Sequence, residues 1–208
     1  MDDLNNEIKR FLSVYSKQNT SETNLEITIG NSLGKYIFDT HVSNKYWKKI
    51  CDRLERNGEY TVRREFEYKI YTDYNMKLYK SADKMKCVIT DVVEQSLCYN
   101  NTSGFDFKIT LSNKKPVNIA EFPSKYDYHG VVDRHTVSYN FDNQFYINVS
   151  SVNNVENKLS YHQVVILLAK NTKASRNIVL KNIMRQIREI YGVTRVKPET
   201  FNISKIKE

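Results

Sequence analysis

The chain has 208 residues, with 32 Lys and Arg against 24 Asp and Glu, for a formal net charge of +8. A hydrophobic fraction of 40% with fifteen Tyr and nine Phe excludes a disordered chain, and six Gly and three Pro exclude collagen-like and low-complexity classes. No run approaches the roughly 20 apolar residues needed to cross a bilayer, and the opening MDDLNNEIKR is too polar for a secretory signal. The expectation is a single folded domain over 1–208, soluble and cytoplasmic, with no membrane partner. Cys51, Cys87 and Cys98 share no metal-ligand spacing and leave one over, which fits a reducing compartment, and the Asn-x-Ser/Thr triplets at Asn101 and Asn148 read as chance in an Asn-rich sequence.

Leu4, Ile8, Phe11, Leu12 and Tyr15 recur at helical spacing and predict an amphipathic helix over about 3–16. In 24–30, Leu25, Ile27 and Ile29 alternate with Asn24, Glu26 and Thr28, the pattern of a strand with one polar face. Ser43 can cap a second helix carrying Tyr46, Trp47, Ile50 and Leu54, which Asn57-Gly58 ends. From there to about 169 the chain reads as eight or so short strands separated by turn signals, then as a third helix marked by Ile178, Ile183, Ile187, Ile190 and Tyr191 and closed by Gly192. A basic tail over 192–208 has no clear period. This order predicts an α+β fold in which N-terminal and C-terminal helices support a closed antiparallel β-barrel of about eight strands.

Several strands are two-faced. Phe105, Phe107, Ile109 and Leu111 oppose Asp106, Lys108, Thr110 and Ser112; Val137, Tyr139 and Phe141 oppose Arg134, Thr136, Ser138 and Asn140; Phe145, Ile147 and Val149 oppose Tyr146, Asn148 and Ser150. Two architectures satisfy this: a sheet whose polar face meets solvent, or a barrel turned the other way, with polar side chains in a lumen and apolar ones under helices.

The order of elements, with NLEITIG, FDFKITLSNKKPV, the RHTVSYNF and FYINVSSV pair and YHQVVILL, resembles the metal-dependent RNA 5'-triphosphatases of fungi and large DNA viruses, the β-subunit or N-terminal domain of mRNA capping enzymes, over about 4–190. The resemblance implies a triphosphate-tunnel barrel, a place in mRNA capping or transcription, and a location in host cytoplasm or virion for a viral source. It also shows what is missing. Where the family's first strand has two glutamates and a basic residue, this chain has Asn24, Glu26 and Thr28. Where the last strand has three glutamates after Tyr, Tyr161 is followed by His162, Val164 and Ile166. Lys114 replaces a glutamate ahead of Lys115-Pro116-Val117, only Arg134 remains of three cations at Val132, Arg134 and Thr136, and Asn148 and Ser150 stand for an Asp and a Thr.

Releasing an RNA γ-phosphate takes a divalent ion held through several carboxylate oxygens, cations on the phosphate and a group that orients water. The resemblance leaves Glu26 as the single remnant of the catalytic metal ligands; Mg²⁺ or Mn²⁺ is implied only for an active form, and the degenerate set implies no cofactor. Lys77, Lys84, Lys86, Lys108 and Arg134 are the candidate phosphate- or anion-binding residues, either lining one interior or solubilising an outer face. A lone strand histidine such as His162 reads as structural. The resulting expectation is a catalytically degenerate triphosphatase-like subunit that binds an RNA 5' end or phosphate anion and other capping or transcription subunits. A second reading is an active, divergent RNA or nucleoside triphosphatase that joins Glu26 to Glu65 and Glu67 of the E-x-E-x-K run 65–69, a pattern that also arises from cross-strand charge pairing. A third is non-specific RNA binding through exposed Lys and Tyr, including Lys197, Lys205 and Lys207 of the tail; Lys181, Arg185 and Arg188 of the third helix read as a solvated face.

Overall fold

The period-two strands pair into one antiparallel sheet that closes on itself. The computed structural model describes residues 2–18, 21–33, 37–99, 105–122, 130–170 and 172–194. Its elements are α1 (Asp2–Tyr15), β1 (Thr23–Ser32), β2 (Phe38–Asp39), α2 (Asn44–Asn57), β3 (Val62–Asp73), β4 (Met76–Lys80), β5 (Met85–Cys98), β6 (Asp106–Val117), β7 (Gly130–Phe141), β8 (Phe145–Asn154), β9 (Ser160–Leu168) and α3 (Arg176–Thr194). The strand order β1-β6-β5-β4-β3-β7-β8-β9 returns to β1 through the pairing of Glu26–Ile29 with Val164–Leu167. The short β2 adds to the end of β1, pairing Asn31 with Asp39 and Ser32 with Phe38.

The core lies outside the barrel wall, beneath the helices. Leu25, Ile27 and Ile29 of β1, Phe107, Ile109 and Leu111 of β6, Ile147 and Val149 of β8, and Val164 and Ile166 of β9 form one buried cluster with Ile8 and Phe11 of α1, Ile50 and Leu54 of α2, and Ile183 and Ile187 of α3. Burying each such side chain stabilises the fold by about 1.5–3 kcal/mol, so this face fixes which way every strand is turned. One polar tie between wall and helix is Tyr139 of β7, whose hydroxyl donates to Glu55 of α2 at 2.6 Å. Arg53 of α2 reaches Glu189 of α3 at 2.9 Å.

The helix ends differ in detail from expectation. Gly58 closes α2 in the left-handed region at φ 63°, which glycine adopts without steric cost, but the Ser43 side chain makes no capping bond; its carbonyl instead accepts from the Tyr46 and Trp47 amides. Gly192 does not end α3, which continues to Thr194, and Ile178 is 50% exposed because the buried stripe runs through Val179, Ile183 and Ile187. Arg185 of α3 is paired with Glu59 at 3.1 Å. The tail lysines Lys197, Lys205 and Lys207, and Asn101, lie outside the described residues. Among the described residues no helix is long and apolar enough to cross a membrane.

Ile147 is fully buried on the outer face of β8, between the wall and the helices. Ile147→Ala removes packing that cannot collapse against a stiff sheet, and is expected to lower stability by about 2–5 kcal/mol, read as a reduced urea midpoint with an unchanged m-value.

A candidate anion-binding lumen

Closure turns the second face of every strand inward. Cross-strand partners share a face, so the pairs Glu26 with Thr110, Thr28 with Lys108, Tyr68 with Arg134, Thr72 with Lys77, Tyr79 with Lys86 and Thr136 with Ser150 place these side chains on the lumen side. At the centre Lys114 donates to Glu26 at 2.5 Å, both side chains being about one-third exposed or less. Lys77 has its pKa pushed below the usual lysine value, first by burial and then by repulsion from Arg134, Lys114 and Lys108, with Glu26 partly offsetting them. Arg134 donates one guanidinium N–H to Gln163 at 2.8 Å, while its Nε is buried without a hydrogen-bond partner. The buried Asn148 Oδ1 also has none.

Aromatic rings stand among these charges. The Lys86 ammonium lies 5.0 Å from the centre of the Tyr79 ring and 5.7 Å from that of Tyr68, and partial burial there, with repulsion from Lys114, pushes its pKa down. Burial pushes the Tyr79 phenol up, so it stays a neutral hydroxyl at physiological pH. Among the described residues the middle of the lumen thus holds Lys77, Lys108, Lys114 and Arg134 against Glu26 alone.

Of the expected anion-binding residues, the structure brings Lys77, Lys86, Lys108 and Arg134 to the lumen. Lys84 is a correction: it sits exposed in the β4–β5 turn, where its carbonyl accepts from Ser81, and has no place among the lumen charges. Glu65 and Glu67 are a second correction. Phe66 and Tyr68 take the inward positions of β3 beside Thr136 and Arg134, so period two sends both glutamates outward, opposite Val137 and His135. Glu65 pairs with Arg63 at 2.5 Å and Lys69 with Asp133 at 3.6 Å, so the E-x-E-x-K run is outer-face charge pairing and cannot join Glu26.

The third correction is one of register. His162, Val164 and Ile166 face outward; the inward positions of β9 are Tyr161, Gln163, Val165 and Leu167. His162 stacks on Trp47 of α2 with centroids 4.3 Å apart and shares a 3.2 Å hydrogen bond with Ser151; burial, then repulsion from His41 and Lys48, lowers its pKa. Sequence reasoning missed Lys114 as an anion-facing cation, although its even spacing from Lys108 was the available signal. Gln163 gave no signal, since its role depends on meeting Arg134 over the intervening strand β8.

The donor set does not fit the Mg²⁺ or Mn²⁺ that the resemblance implies. Those ions need several carboxylate or water oxygens around them, whereas Glu26 already faces an ammonium, and Asp106 at the rim accepts the Ser32 amide at 3.0 Å. No group of three or more His, Cys, Asp or Glu suited to a metal occurs among the described residues. Nor is there an activated thiol: burial pushes Cys51 up to about 12 and Cys98 up to about 11.

No protein-family model and no curated protein matches the sequence. Solved structures do match. The S. pombe RNA triphosphatase Pct1 superimposes with a TM-score of 0.70 at 14% identity, covering 93% of both chains. Pct1 in complex with the Spt5 CTD gives 0.68 at 14% identity, covering 93% of this chain and 94% of that one. The Mimivirus capping enzyme triphosphatase gives 0.59 at 10% identity over 91% of this chain and 98% of its own. The chain therefore has the triphosphate-tunnel fold, with a lumen whose charge balance is cationic.

Proposed function

We propose that this protein is a catalytically degenerate member of the triphosphatase fold that binds the phosphorylated 5' end of an RNA in its lumen and acts as a binding or assembly subunit in mRNA capping or transcription. The observation that carries the reading is the confinement of Lys77, Lys108, Lys114 and Arg134 in one lumen, where Glu26, the carboxylate among them, is already paired with Lys114. Like charges held together raise the energy of the empty site, and a polyphosphate relieves that cost while offering acceptors to the free Arg134 Nε. Among the described residues the lumen has cations able to hold phosphate oxygens and no cluster of carboxylates to seat a metal, which supports binding without hydrolysis. The complex of Pct1 with the Spt5 CTD supports a protein partner.

The direct test offers 5'-triphosphate RNA and the same RNA with a 5'-hydroxyl. The triphosphate form is expected to bind more tightly, and Lys77→Ala or Arg134→Ala to weaken it by about 10- to 100-fold, the loss of one charge-assisted hydrogen bond. Equal affinity for both RNAs would point to non-specific electrostatic binding instead. Mn²⁺- or Mg²⁺-dependent phosphate release, abolished by Glu26→Ala, would overturn the degenerate assignment.

A second test reads Lys77 itself. Without ligand its ammonium should titrate below the ordinary lysine range, because burial and neighbouring cations penalise the charged form. Bound tripolyphosphate favours the charged form, so the Lys77 pKa should rise, as followed by side-chain NMR with Lys77→Arg for assignment. An unchanged titration would place the anion elsewhere.

A further inference from the structure

The two mouths of the barrel are built differently. At one, β1 and β9 part company: β1 pairs with β9 only through Ile29, and beyond it β1 pairs with β2 while the Val42 amide takes the His162 carbonyl of β9 at 2.8 Å. Residues 38–42 thus form a strap wedged into the seam. A Cβ on Gly30 would stand 2.1 Å from the Asp39 carbonyl oxygen and 2.7 Å from the Phe38 ring, so the strap can lie there only because this position has no side chain.

Gly30 shares the inward face of Glu26 and Thr28, so what presses on it is on the lumen side. The Phe38 ring is 5.4 Å from the Lys108 ammonium. Thr40 accepts from Gln163 at 2.6 Å, and Gln163 in turn accepts from Arg134. The Asp39 carboxylate is turned into the strap, capping the His41 amide at 2.9 Å. This mouth is covered by an aromatic ring and a hydroxyl that touch the lumen cations or their immediate partner.

The opposite mouth opens into a cleft of about 930 Å³, lined by Asn24, Tyr146, Leu167, Asn143, Lys170 and Lys173 among others. Asn24, Tyr146 and Leu167 are the last inward residues of β1, β8 and β9 at that end, so the cleft shares these three side chains with the inner face of the barrel. Tyr146 is half-buried, and its ring offers a flat apolar surface. Lys170 is held by the Ser21 carbonyl at 2.6 Å, and Lys173 is exposed beside it. The size suits an organic ligand, and an aromatic face with a flanking lysine suits a base and its following phosphate.

Resting on the anion-binding reading above, we infer that the lumen takes its ligand one way round: a free terminal phosphate lodged toward the Phe38–Thr40 strap, and the first nucleoside of the 5'-phosphorylated strand in the vestibule against Tyr146, with Lys173 on the next backbone phosphate. The substrate class is then a nucleic-acid 5' end, in preference to inorganic polyphosphate, because the vestibule adds contacts that only the nucleoside and its chain can use.

The test compares inorganic tripolyphosphate with a 5'-triphosphate RNA pentamer by calorimetry on the full chain. Tyr146→Ala is expected to weaken the pentamer by about tenfold, the value of one base–aromatic contact, and to leave tripolyphosphate affinity unchanged. Retained tripolyphosphate binding doubles as the control for folding. Lys173→Ala should likewise affect only the pentamer, whereas Lys77→Ala should weaken both. A pentamer with 4-thiouridine at its first position should photo-crosslink to the segment containing Tyr146 or to that containing Lys173. Equal loss of both ligands in Tyr146→Ala, no loss of either, or a crosslink to the Phe38 segment would overturn the orientation while leaving anion binding intact. Failure of the wild-type chain to bind tripolyphosphate at all would instead remove the reading on which it rests.

Discussion

Everything distinctive about this protein depends on the four-residue pairing of Glu26–Ile29 with Val164–Leu167, which joins the first strand to the last. An open sheet with the same alternation would leave its lysines in water, where ions screen them and their number means little. Closure removes that freedom. Two like charges about 6 Å apart repel by about 3 kcal/mol at an effective dielectric of 20, so several cations facing one another inside a wall form a site that favours an anion. The energy that enforces this comes from the opposite side of the sheet, where the apolar face is buried under three helices.

Within that lumen the carboxylate that the resemblance leaves, Glu26, is held against the ammonium of Lys114. The resemblance puts a glutamate where Lys114 stands, and two carboxylates there could share a divalent ion. With a lysine, the remaining carboxylate acquires a fixed positive partner and the ion has no seat. The replacement changes the local charge by two units without altering the strand, because an inward position on a barrel tolerates either side chain so long as something of opposite sign faces it. Part of the +8 net charge is therefore concentrated on an interior face, and bulk composition describes it poorly.

The asymmetry between the mouths has an equally local origin. Gly30 lacks the side chain that would hold the strap off the end of β1, and the strap's Thr40 completes a chain of hydrogen bonds through Gln163 to Arg134. At the far end no comparable segment among the described residues covers Tyr146 and Leu167, and the turn at Asp142 and Asn143, both with positive φ, borders the opening instead of folding across it. A barrel with equivalent ends would give a ligand no direction; this one distinguishes them with a handful of residues.

Local order along the chain dictates the elements and the partition of each strand into two faces. Period two in β1, β6, β7 and β8 is strong enough that Glu26, Lys108 and Arg134 could be assigned to polar faces from spacing alone, and the resemblance supplied the order in which they meet. It did not determine which face of β3 turns inward, because Phe66 and Tyr68 alternate with Glu65 and Glu67 and either set makes a coherent face; the wall resolved this by turning the half-buried aromatics inward beside Thr136 and Arg134 and leaving Glu65 outside to pair with Arg63. It gave an answer one residue out on β9, where His162 took the place of an inward residue: a one-residue slip exchanges the two faces, and only pairing with both β8 and β1 fixes the register. Strand faces are set by neighbours in the chain and are legible there. The inside of a barrel is set by which distant strands meet, and that is decided when the sheet closes.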